Sequence, residues 1–387
     1  MMHSIRALWL LPWLLMLAGC SIGGSRSLDV QPAPALDIEP ATLAVTEDWS
    51  ASVGAAAVPY HRLAISQRGG RVYVASADGQ VSAIDHQNGE SIWTQSLDAE
   101  ISGGPSSTDT QVVVGTAGGE IVALDAEQGK LRWRASLSSE VLAPPAIGQE
   151  HVVARTGDGR VFALSNRDGA QQWLYSRSVP ALSLRGHSAP VLVPDGVIAG
   201  FDHGRLSALD LQTGEPVWEA TIAVPQGRTD LERMVDLDAD PVVDRGDLFA
   251  GTYQGRLVGL SLSNGQIAWA RDISVIGGIA VDDSNVYATD AEGQVWAVDR
   301  SNGASVWRLD ALAGLSLSAP VRSAEHLVVG AGDGAVYWLD PADGEVLARY
   351  QAGKAPITAT PVVIDNDLLV LNLRGQLKRL TLQSRAD

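Results

Sequence analysis

The sequence predicts an all-β fold, an eight-bladed β-propeller of four-stranded blades in a single domain. A glycine-containing unit recurs eight times at a period of about 40 residues, which is the usual size of a propeller blade. A tryptophan recurs at a fixed distance from that glycine in most units. The intervening segments are short β-branched runs, and none shows a long apolar stripe with helical periodicity.

Each unit contains a glycine that opens a short apolar strand. Successive glycines are 40, 40, 45, 51, 38, 41 and 41 residues apart, and in six units a tryptophan follows 14 residues later. The glycines are Gly79, Gly119, Gly159, Gly204, Gly255, Gly293, Gly334 and Gly375, and the tryptophans are Trp93, Trp133, Trp173, Trp218, Trp269 and Trp307. Ala348 occupies the tryptophan position in the seventh unit, and the eighth unit ends before reaching it.

The second unit illustrates how the strands are assigned. Residues 111–115 and 120–124 are β-branched runs separated by Gly118 and Gly119, which favour a tight hairpin turn. The next turn begins at Asp125, because aspartate accepts hydrogen bonds from the backbone that follows it. The strand that carries the tryptophan comes next, and several units open with a proline, as the first residue of a strand allows.

The two ends of the repeat region complement each other. The eighth unit, 361–383, has material for three strands, and the segment 44–50, which contains Trp49, belongs to no complete unit. We expect this N-terminal strand to complete the last blade and to close the ring, which removes exposed sheet edges. The predicted propeller therefore spans residues 44–387.

The N-terminus has the features of a secretory signal. Arg6 precedes an apolar run, 7–17, that is too short to span a membrane. The four residues 17–20, Leu-Ala-Gly-Cys, resemble the lipobox of bacterial lipoproteins, which implies cleavage before Cys20 and lipidation of its thiol. The alternative is an ordinary signal with a chance cysteine. We predict a signal peptide at 1–19 and a lipidated, flexible tether at 20–43; Ser21 implies sorting to the outer membrane.

Composition and motifs exclude several classes of function. The chain has 28 basic and 45 acidic residues, a formal charge of −17, which argues against a nucleic-acid partner. One cysteine cannot form an intramolecular disulfide, and the seven histidines show no HxH or HExxH spacing. No GxSxG nucleophile motif occurs. The sequence thus predicts no catalytic residue, no metal site and no cofactor.

The repeat resembles a known family. The pattern L-D-x-x-x-G-x-x-x-W at 124–133 and 209–218 is similar to the tryptophan repeat of pyrroloquinoline quinone (PQQ) propellers. Together with the lipobox and the acidic charge, it resembles the BamB family, lipoproteins of the outer-membrane β-barrel assembly machinery. The resemblance implies a non-enzymatic scaffold on the periplasmic face of the outer membrane. It also implies docking on the periplasmic domains of the barrel-forming subunit, BamA, and help in delivering and inserting unfolded outer-membrane proteins.

Two long loops are the candidate partner-binding sites. The distances from Trp173 and Trp218 to the next unit's glycine are 31 and 37 residues, against 24 to 27 elsewhere. These loops contain residues 181–190, the first segment, and 232–241, the second segment. Both are similar to the segments with which the BamB family binds its partner. The resemblance assigns partner binding to Leu182, Leu184, Arg185, Asp236 and Asp238. Insertions in a scaffold usually lie at its surface, and apolar side chains beside an arginine are typical of binding anchors.

Other interpretations of these residues remain open at this stage. Leu182 and Leu184 fit one face of an ordinary inner strand, with Arg185 in solvent. Asp236 and Asp238 fit a hydrated acidic turn or an intramolecular pairing with Arg185. A calcium loop formed by the alternating Asp236, Asp238 and Asp240 is disfavoured, because Pro241 stands where an EF-hand requires glycine.

Two other functions are also considered. One is a PQQ-type quinoprotein enzyme, although such enzymes often use a disulfide between adjacent cysteines and this chain has only Cys20. The other is a lipoprotein that binds glycans or periplasmic clients. Glycan binding favours exposed aromatic residues, and Trp296 and Trp338 are the tryptophans after Cys20 that lie outside the repeat position.

Overall fold

The computed structural model describes residues 43–54, 61–179 and 188–384, which form 33 strands and no helix. Two strands precede the first blade, β1 (Leu43–Ser52) and β2 (Arg62–Leu63). In the described ranges no helix is long and apolar enough to cross a membrane.

The first four blades follow one another along the chain, each with four strands. Blade 1 contains β3 (Ser66–Arg68), β4 (Arg71–Ala75), β5 (Gln80–Asp85) and β6 (Ser91–Ser96). Blade 2 contains β7 (Ile101–Ser107), β8 (Gln111–Thr116), β9 (Glu120–Asp125) and β10 (Leu131–Ser136). Blade 3 contains β11 (Ala146–Ile147), β12 (His151–Arg155), β13 (Arg160–Ser165) and β14 (Gln171–Ser176). Blade 4 contains β15 (Val191–Val193), β16 (Gly196–Phe201), β17 (Arg205–Asp210) and β18 (Pro216–Thr221).

The remaining blades repeat this order. Blade 5 contains β19 (Val242–Asp244), β20 (Asp247–Gly251), β21 (Leu257–Ser261) and β22 (Ile267–Arg271). Blade 6 contains β23 (Val275–Val281), β24 (Asn285–Asp290), β25 (Val295–Asp299) and β26 (Ser305–Leu309). Blade 7 contains β27 (Val321–Ser323), β28 (His326–Gly330), β29 (Ala335–Leu339) and β30 (Val346–Gln351). Blade 8 contains β31 (Val362–Ile364), β32 (Asp367–Leu371) and β33 (Gln376–Ser384).

The blades are antiparallel meanders that form a ring, so the predicted eight-bladed propeller is confirmed. The ring closure is confirmed as well. Strand β1 pairs antiparallel with β33, in a register that runs from Leu43 opposite Ser384 to Ser52 opposite Gln376. Strand β2 adds in parallel to β7, so a short strand ahead of blade 1 extends the sheet of blade 2.

The repeat tryptophans pack each blade against the next. Each of the seven repeat tryptophans within the described residues donates its indole Nε1–H to a backbone carbonyl of the following blade, at 2.8 to 3.1 Å. This carbonyl lies in the turn between the third and fourth strands of that blade. The glycine of that turn has a φ of 68° to 80°, and a Cβ there would lie 2.4 to 2.7 Å from the indole. The invariant spacing therefore reflects one packing unit, in which tryptophan covers a glycine of the next blade.

The turn aspartates support the same arrangement. Asp125 Oδ1 accepts the backbone N–H groups of Glu127 and Gln128, at 3.0 and 2.9 Å. Asp210 and Asp299 accept the corresponding backbone N–H groups in their own turns. These carboxylates fix the turns that receive the tryptophans, as expected for aspartate at the start of a turn.

The junction between blades 7 and 8 is built differently. Blade 8 lacks the turn that would receive a tryptophan, because its fourth strand is β1, which does not follow its third strand, β33, along the chain. Ala348 stands at the tryptophan position of blade 7, and Trp338 lies opposite it in the register. Trp338 is 1% exposed and packs among residues of both blades, including Val370 and Leu380. A tryptophan on the third strand thus fills the space between the blades.

The hydrophobic core is divided among the junctions. The described residues form eight buried clusters, one between each pair of neighbouring blades. The fourth strands instead lie at the rim, because their residues alternate between exposed and covered positions. The axis is left with a cavity rather than a core.

Candidate functional site

The candidate site consists of the two long segments between blades 3 and 5. Leu182, Leu184 and Arg185 lie outside the described residues, as does Cys20. The described part comprises Ser188, Ala189 and Pro190 at the end of the first segment and the whole second segment.

The second segment has an exposed part and a buried part. The loop before it and its first residues are largely exposed, with Val224 at 63% and Leu231 at 60%. Residues 234–239 are buried, and Asp236 and Asp238 are only 1% and 8% exposed. The expectation that the insertion lies at the surface therefore holds for its first part only. A hydrated acidic turn at Asp236 and Asp238 is contradicted by their burial.

Backbone hydrogen bonds hold the buried part in the wall of the ring. The carbonyl of Asp236 accepts the N–H of Tyr253, at 2.9 Å. The carbonyl of Leu237 accepts the N–H of Ser188, at 3.3 Å, which joins the two segments. Gly200 provides the room for this packing, because a Cβ there would lie 3.0 Å from the Leu237 side chain.

Asp238 is a buried acid whose surroundings disfavour its charged form. Burial raises the pKa of Asp238 well above its ordinary value, and the negative charge of Asp236 raises it further. The positive charges of Arg155 and Arg62 act in the opposite direction. Its Oδ1 atom has no hydrogen-bond partner in the part of the chain that the structure describes. A buried carboxyl in this state favours a cationic neighbour.

A buried ion pair lies beside the segments. Arg155, at the end of β12, donates from Nη2 to Asp202 Oδ1 at 2.9 Å, and the two side chains are 1% and 5% exposed. The guanidinium also lies over the ring of Phe201, 5.6 Å from its centroid. Glycine stands at the corresponding position of four other blades, at Gly115, Gly200, Gly251 and Gly330. At each of these glycines an added Cβ would lie 2.4 to 2.5 Å from a neighbouring side chain, so Arg155 stands at a position that is closed to side chains in those blades.

A second ion pair crosses the axis of the ring. Arg62 Nη1 donates to Asp240 Oδ1 at 2.6 Å, and Nη2 donates to Asp240 Oδ2 at 2.9 Å. Arg62 lies on β2, which extends the sheet of blade 2, and Asp240 precedes blade 5, so the pair joins two blades that are not neighbours in the ring. Asp240 Oδ1 also accepts the backbone N–H of Ala189, at 2.6 Å.

A cavity of about 640 Å³ lies on the axis beside this pair. Its wall includes Arg62, Asp238 and Asp240, together with apolar side chains such as Leu63 and Leu317. In the described ranges, no group of three or more His, Cys, Asp or Glu side chains is arranged to hold a metal ion.

Comparison with known proteins identifies the family. A family model described as outer membrane protein assembly factor BamB matches residues 39–103, 77–309 and 303–385. The chain belongs to the BamB family. Outer membrane protein assembly factor BamB of Alkalilimnicola ehrlichii is 50% identical over 378 residues, which cover 97% of each chain. The BamB of Escherichia coli strain K12 is 34% identical and covers 96% of this chain and 98% of its own length.

A solved structure agrees with this assignment. The crystal structure of BamB from Moraxella catarrhalis matches 87% of this chain and 100% of its own, with a TM-score of 0.81 and 28% identity. The resemblance to PQQ propellers extends to the fold alone. Quinohemoprotein alcohol dehydrogenase from Comamonas testosteroni matches 87% of this chain and 76% of its own, with a TM-score of 0.71 but 14% identity.

Several residues of the site were not predicted from the sequence. Arg155 could have been found, because a large cation replaces the glycine of other blades. Asp240 was considered only as part of a calcium loop. Arg62 and Asp202 carried no signal, since neither belongs to the long segments or departs from a repeat rule.

Proposed function

We propose that this BamB-family chain is a non-enzymatic scaffold of the outer-membrane β-barrel assembly machinery. The observation that carries the proposal is its match, over almost the whole chain, to relatives described as outer membrane protein assembly factors. In this role it docks on the periplasmic domains of the barrel-forming subunit, BamA. It then assists the delivery and insertion of unfolded outer-membrane proteins.

The docking face comprises Leu182, Leu184, Arg185, Asp236 and Asp238. Leu182 and Leu184 are the apolar anchors, and Arg185 supplies the charged contact beside them. Support comes from the residues that flank these segments. Val179, Val224 and Leu231, in the loops that contain the two segments, are 41%, 63% and 60% exposed. These side chains extend the apolar character of the face.

Asp236 and Asp238 support the docking face indirectly and make little direct contact with the partner. Both are too buried to offer much area to a partner. They flank Leu237, whose carbonyl accepts the N–H of Ser188 at the described end of the first segment. We assign them the role of holding Arg185 by charge attraction, so that the leucines beside it face outward. This assignment joins the two interpretations that the sequence left open, partner binding and internal pairing.

Lipidation of Cys20 places the propeller at the periplasmic face of the outer membrane. A diacylated and N-acylated cysteine provides more than one chain, which stable anchoring requires. The tether at 20–43 then lets the ring reach the barrel-forming subunit. The expected mechanism is positional, because holding two partners in orientation raises their effective concentration without an energy source.

The docking proposal can be tested by co-purification from detergent-solubilised membranes. We expect the double variant Leu184→Asp, Arg185→Glu to lose the barrel-forming subunit while its circular dichroism stays β-rich. Leu131→Asp, Arg132→Glu is the matched control. It makes the same two changes in a consecutive Leu-Arg pair at the rim of blade 2, where Leu131 is 54% exposed. Retention of the partner by the folded docking variant would disprove the assignment of these loops.

The anchor needs a separate test. Cys20→Ala is expected to abolish incorporation of labelled palmitate and to release the protein from the outer-membrane fraction. Ser21→Ala is the control and should remain both labelled and membrane-bound. Palmitate labelling that survives in Cys20→Ala would show that the lipid is attached elsewhere.

A further inference from the structure

We infer that Arg62 is a positioning residue for the docking face. Through Asp240, it holds the end of the first segment in place from a strand in the sheet of blade 2. The inference rests on the docking role proposed above, and it adds a residue that lies in neither segment. Arg62 acts through Asp240 and Ala189 rather than by contact with the partner.

The forked geometry of the pair fixes the orientation of the Asp240 carboxylate. Both oxygens of Asp240 accept from Arg62, at 2.6 and 2.9 Å. A planar guanidinium that bonds both oxygens restricts rotation of the carboxylate, which a single ammonium does not. Strand β2 in turn fixes Arg62, because Arg62 pairs with Gly103 of blade 2 and Ala64 donates to the carbonyl of Gly104.

The oriented carboxylate of Asp240 accepts a hydrogen bond from the first segment. Asp240 Oδ1 accepts the N–H of Ala189, the residue just before Pro190 and the strand β15. The neighbouring link, from Ser188 N–H to the Leu237 carbonyl, is longer, at 3.3 Å against 2.6 Å. Of the two attachments that the described residues show between the segments, the one through Asp240 is therefore the shorter. If Arg62 is removed, the carboxylate loses two hydrogen bonds and becomes free to turn away from Ala189.

The exposure of the pair separates this role from a role in general stability. The side chains of Arg62 and Asp240 are 29% and 41% exposed, since they border the axial cavity. Partly exposed ion pairs contribute little to the free energy of unfolding. The ring itself is held by its eight apolar clusters, to which neither side chain belongs. Removing Arg62 should therefore alter the docking face while the propeller remains folded.

The test uses the full-length protein in detergent, with Arg62→Met, which keeps the apolar stem, and Asp240→Ala. We expect binding to the purified barrel-forming subunit to weaken about tenfold in each variant. The double variant should bind no more weakly than Asp240→Ala alone, because both changes break one linkage. Hydrogen exchange at the Ala189 amide should accelerate in all three, with core amides unchanged.

The matched control is Arg68→Met. Arg68 forms a similar forked pair with Asp109, at 2.9 and 3.2 Å, between blades 1 and 2 and away from the segments. It should change neither binding nor exchange at Ala189. Should Arg62→Met not fold, Arg62→Lys provides the same measurements with one of the two hydrogen bonds retained.

Wild-type binding and wild-type exchange at Ala189 in a folded Arg62 variant would overturn the inference. If the wild-type protein itself fails to bind the barrel-forming subunit, the proposed function fails instead. The exchange measurement still decides the role of Arg62 in that case, since it needs no partner. The two proposals can therefore fail separately.

Discussion

Trp49 donates its indole N–H to the carbonyl oxygen of His86, at 3.1 Å, across the junction between the last blade and the first. Arg379 of β33 donates to the same oxygen, at 2.7 Å. One carbonyl of blade 1 thus accepts hydrogen bonds from both β1 and β33, the fourth and third strands of blade 8. The N-terminal strand closes the ring by the same tryptophan packing that joins the other blades.

Trp49→Ala should weaken this closure. Loss of the buried aromatic surface and of its hydrogen bond is expected to lower the free energy of unfolding by about 3 kcal/mol. Urea denaturation measures the change, and hydrogen exchange should show faster exchange in β1. Trp307→Ala is the matched control, because its indole occupies the same position between blades 6 and 7. It should destabilise the protein without a selective effect on β1, and equal exchange of β1 in both variants would contradict this account of closure.

Gly129→Ala should reveal the steric part of the tryptophan packing. Gly129 has a φ of 69°, and a Cβ there would lie 2.6 Å from the ring of Trp93. Gly314→Ala is the control, since its φ is 85° and nothing lies within 4 Å of its Cβ position. The control should cost about 1 kcal/mol for the left-handed backbone alone. We expect Gly129→Ala to cost about 1–3 kcal/mol more, from overpacking, in denaturant titrations; equal costs would show that the contact does not matter.

Asp202→Ala should expose the cost of an unpaired buried arginine. It leaves Arg155 without its 2.9 Å partner in a nearly inaccessible site. Breaking a buried pair on one side typically costs about 3–5 kcal/mol. The double variant Arg155→Met, Asp202→Leu removes both charges and should recover most of this loss in thermal unfolding. A double variant as unstable as Asp202→Ala would indicate that packing, rather than charge, sets the cost.

Asp238→Asn should stabilise the free protein at neutral pH. The folded-state pKa of Asp238 is raised above an ordinary value near 3.8, mainly by burial and then by the charge of Asp236. The folded protein therefore binds this proton more tightly than the unfolded chain, and stability falls as pH rises between the two pKa values. Asparagine removes that cost, which for a buried unsatisfied group is about 1–3 kcal/mol.

The sign of the pH dependence provides the check on this prediction. Below pH 3.8 the carboxyl is protonated in both states, so the advantage of asparagine should disappear there. Thermal unfolding of both proteins from pH 2.5 to pH 8 measures the difference. A difference in melting temperature that stays constant across this range would rule out ionisation of Asp238 as the cause. If Asp238 also serves docking, the stabilised variant should bind the partner more weakly.

The sequence was sufficient to predict the ring. The 14-residue distance from glycine to tryptophan is a local property of one hairpin and the strand after it, and it is repeated in six units. The incomplete eighth unit and the strand containing Trp49 then predicted how the ring closes, which the pairing of β1 with β33 confirms. The same regularity made the two long segments visible.

The contacts that organise the candidate site could not be predicted in this way. Arg62 and Asp240 are 178 residues apart and lie at blades that are not neighbours in the ring, so no local pattern relates them. The burial of Asp236 and Asp238 also escaped prediction, because an insertion was expected to lie outside the scaffold. The chain in fact enters the wall of the ring before the proline that opens blade 5, and this places Asp236 and Asp238 in the wall instead of at the surface.

The junction between blades 7 and 8 sets an upper limit on the number of repeat tryptophans. Each repeat tryptophan needs a hairpin turn in the following blade, and the blade that pairs β33 with β1 has no such turn. A propeller closed by its N-terminal strand therefore has room for one repeat tryptophan fewer than it has blades, as the seven repeat indoles within the described ranges of this eight-membered ring illustrate. Ala348 is thus no decayed copy of the motif: in such a ring, the unit without a tryptophan precedes the blade that the N-terminal strand completes.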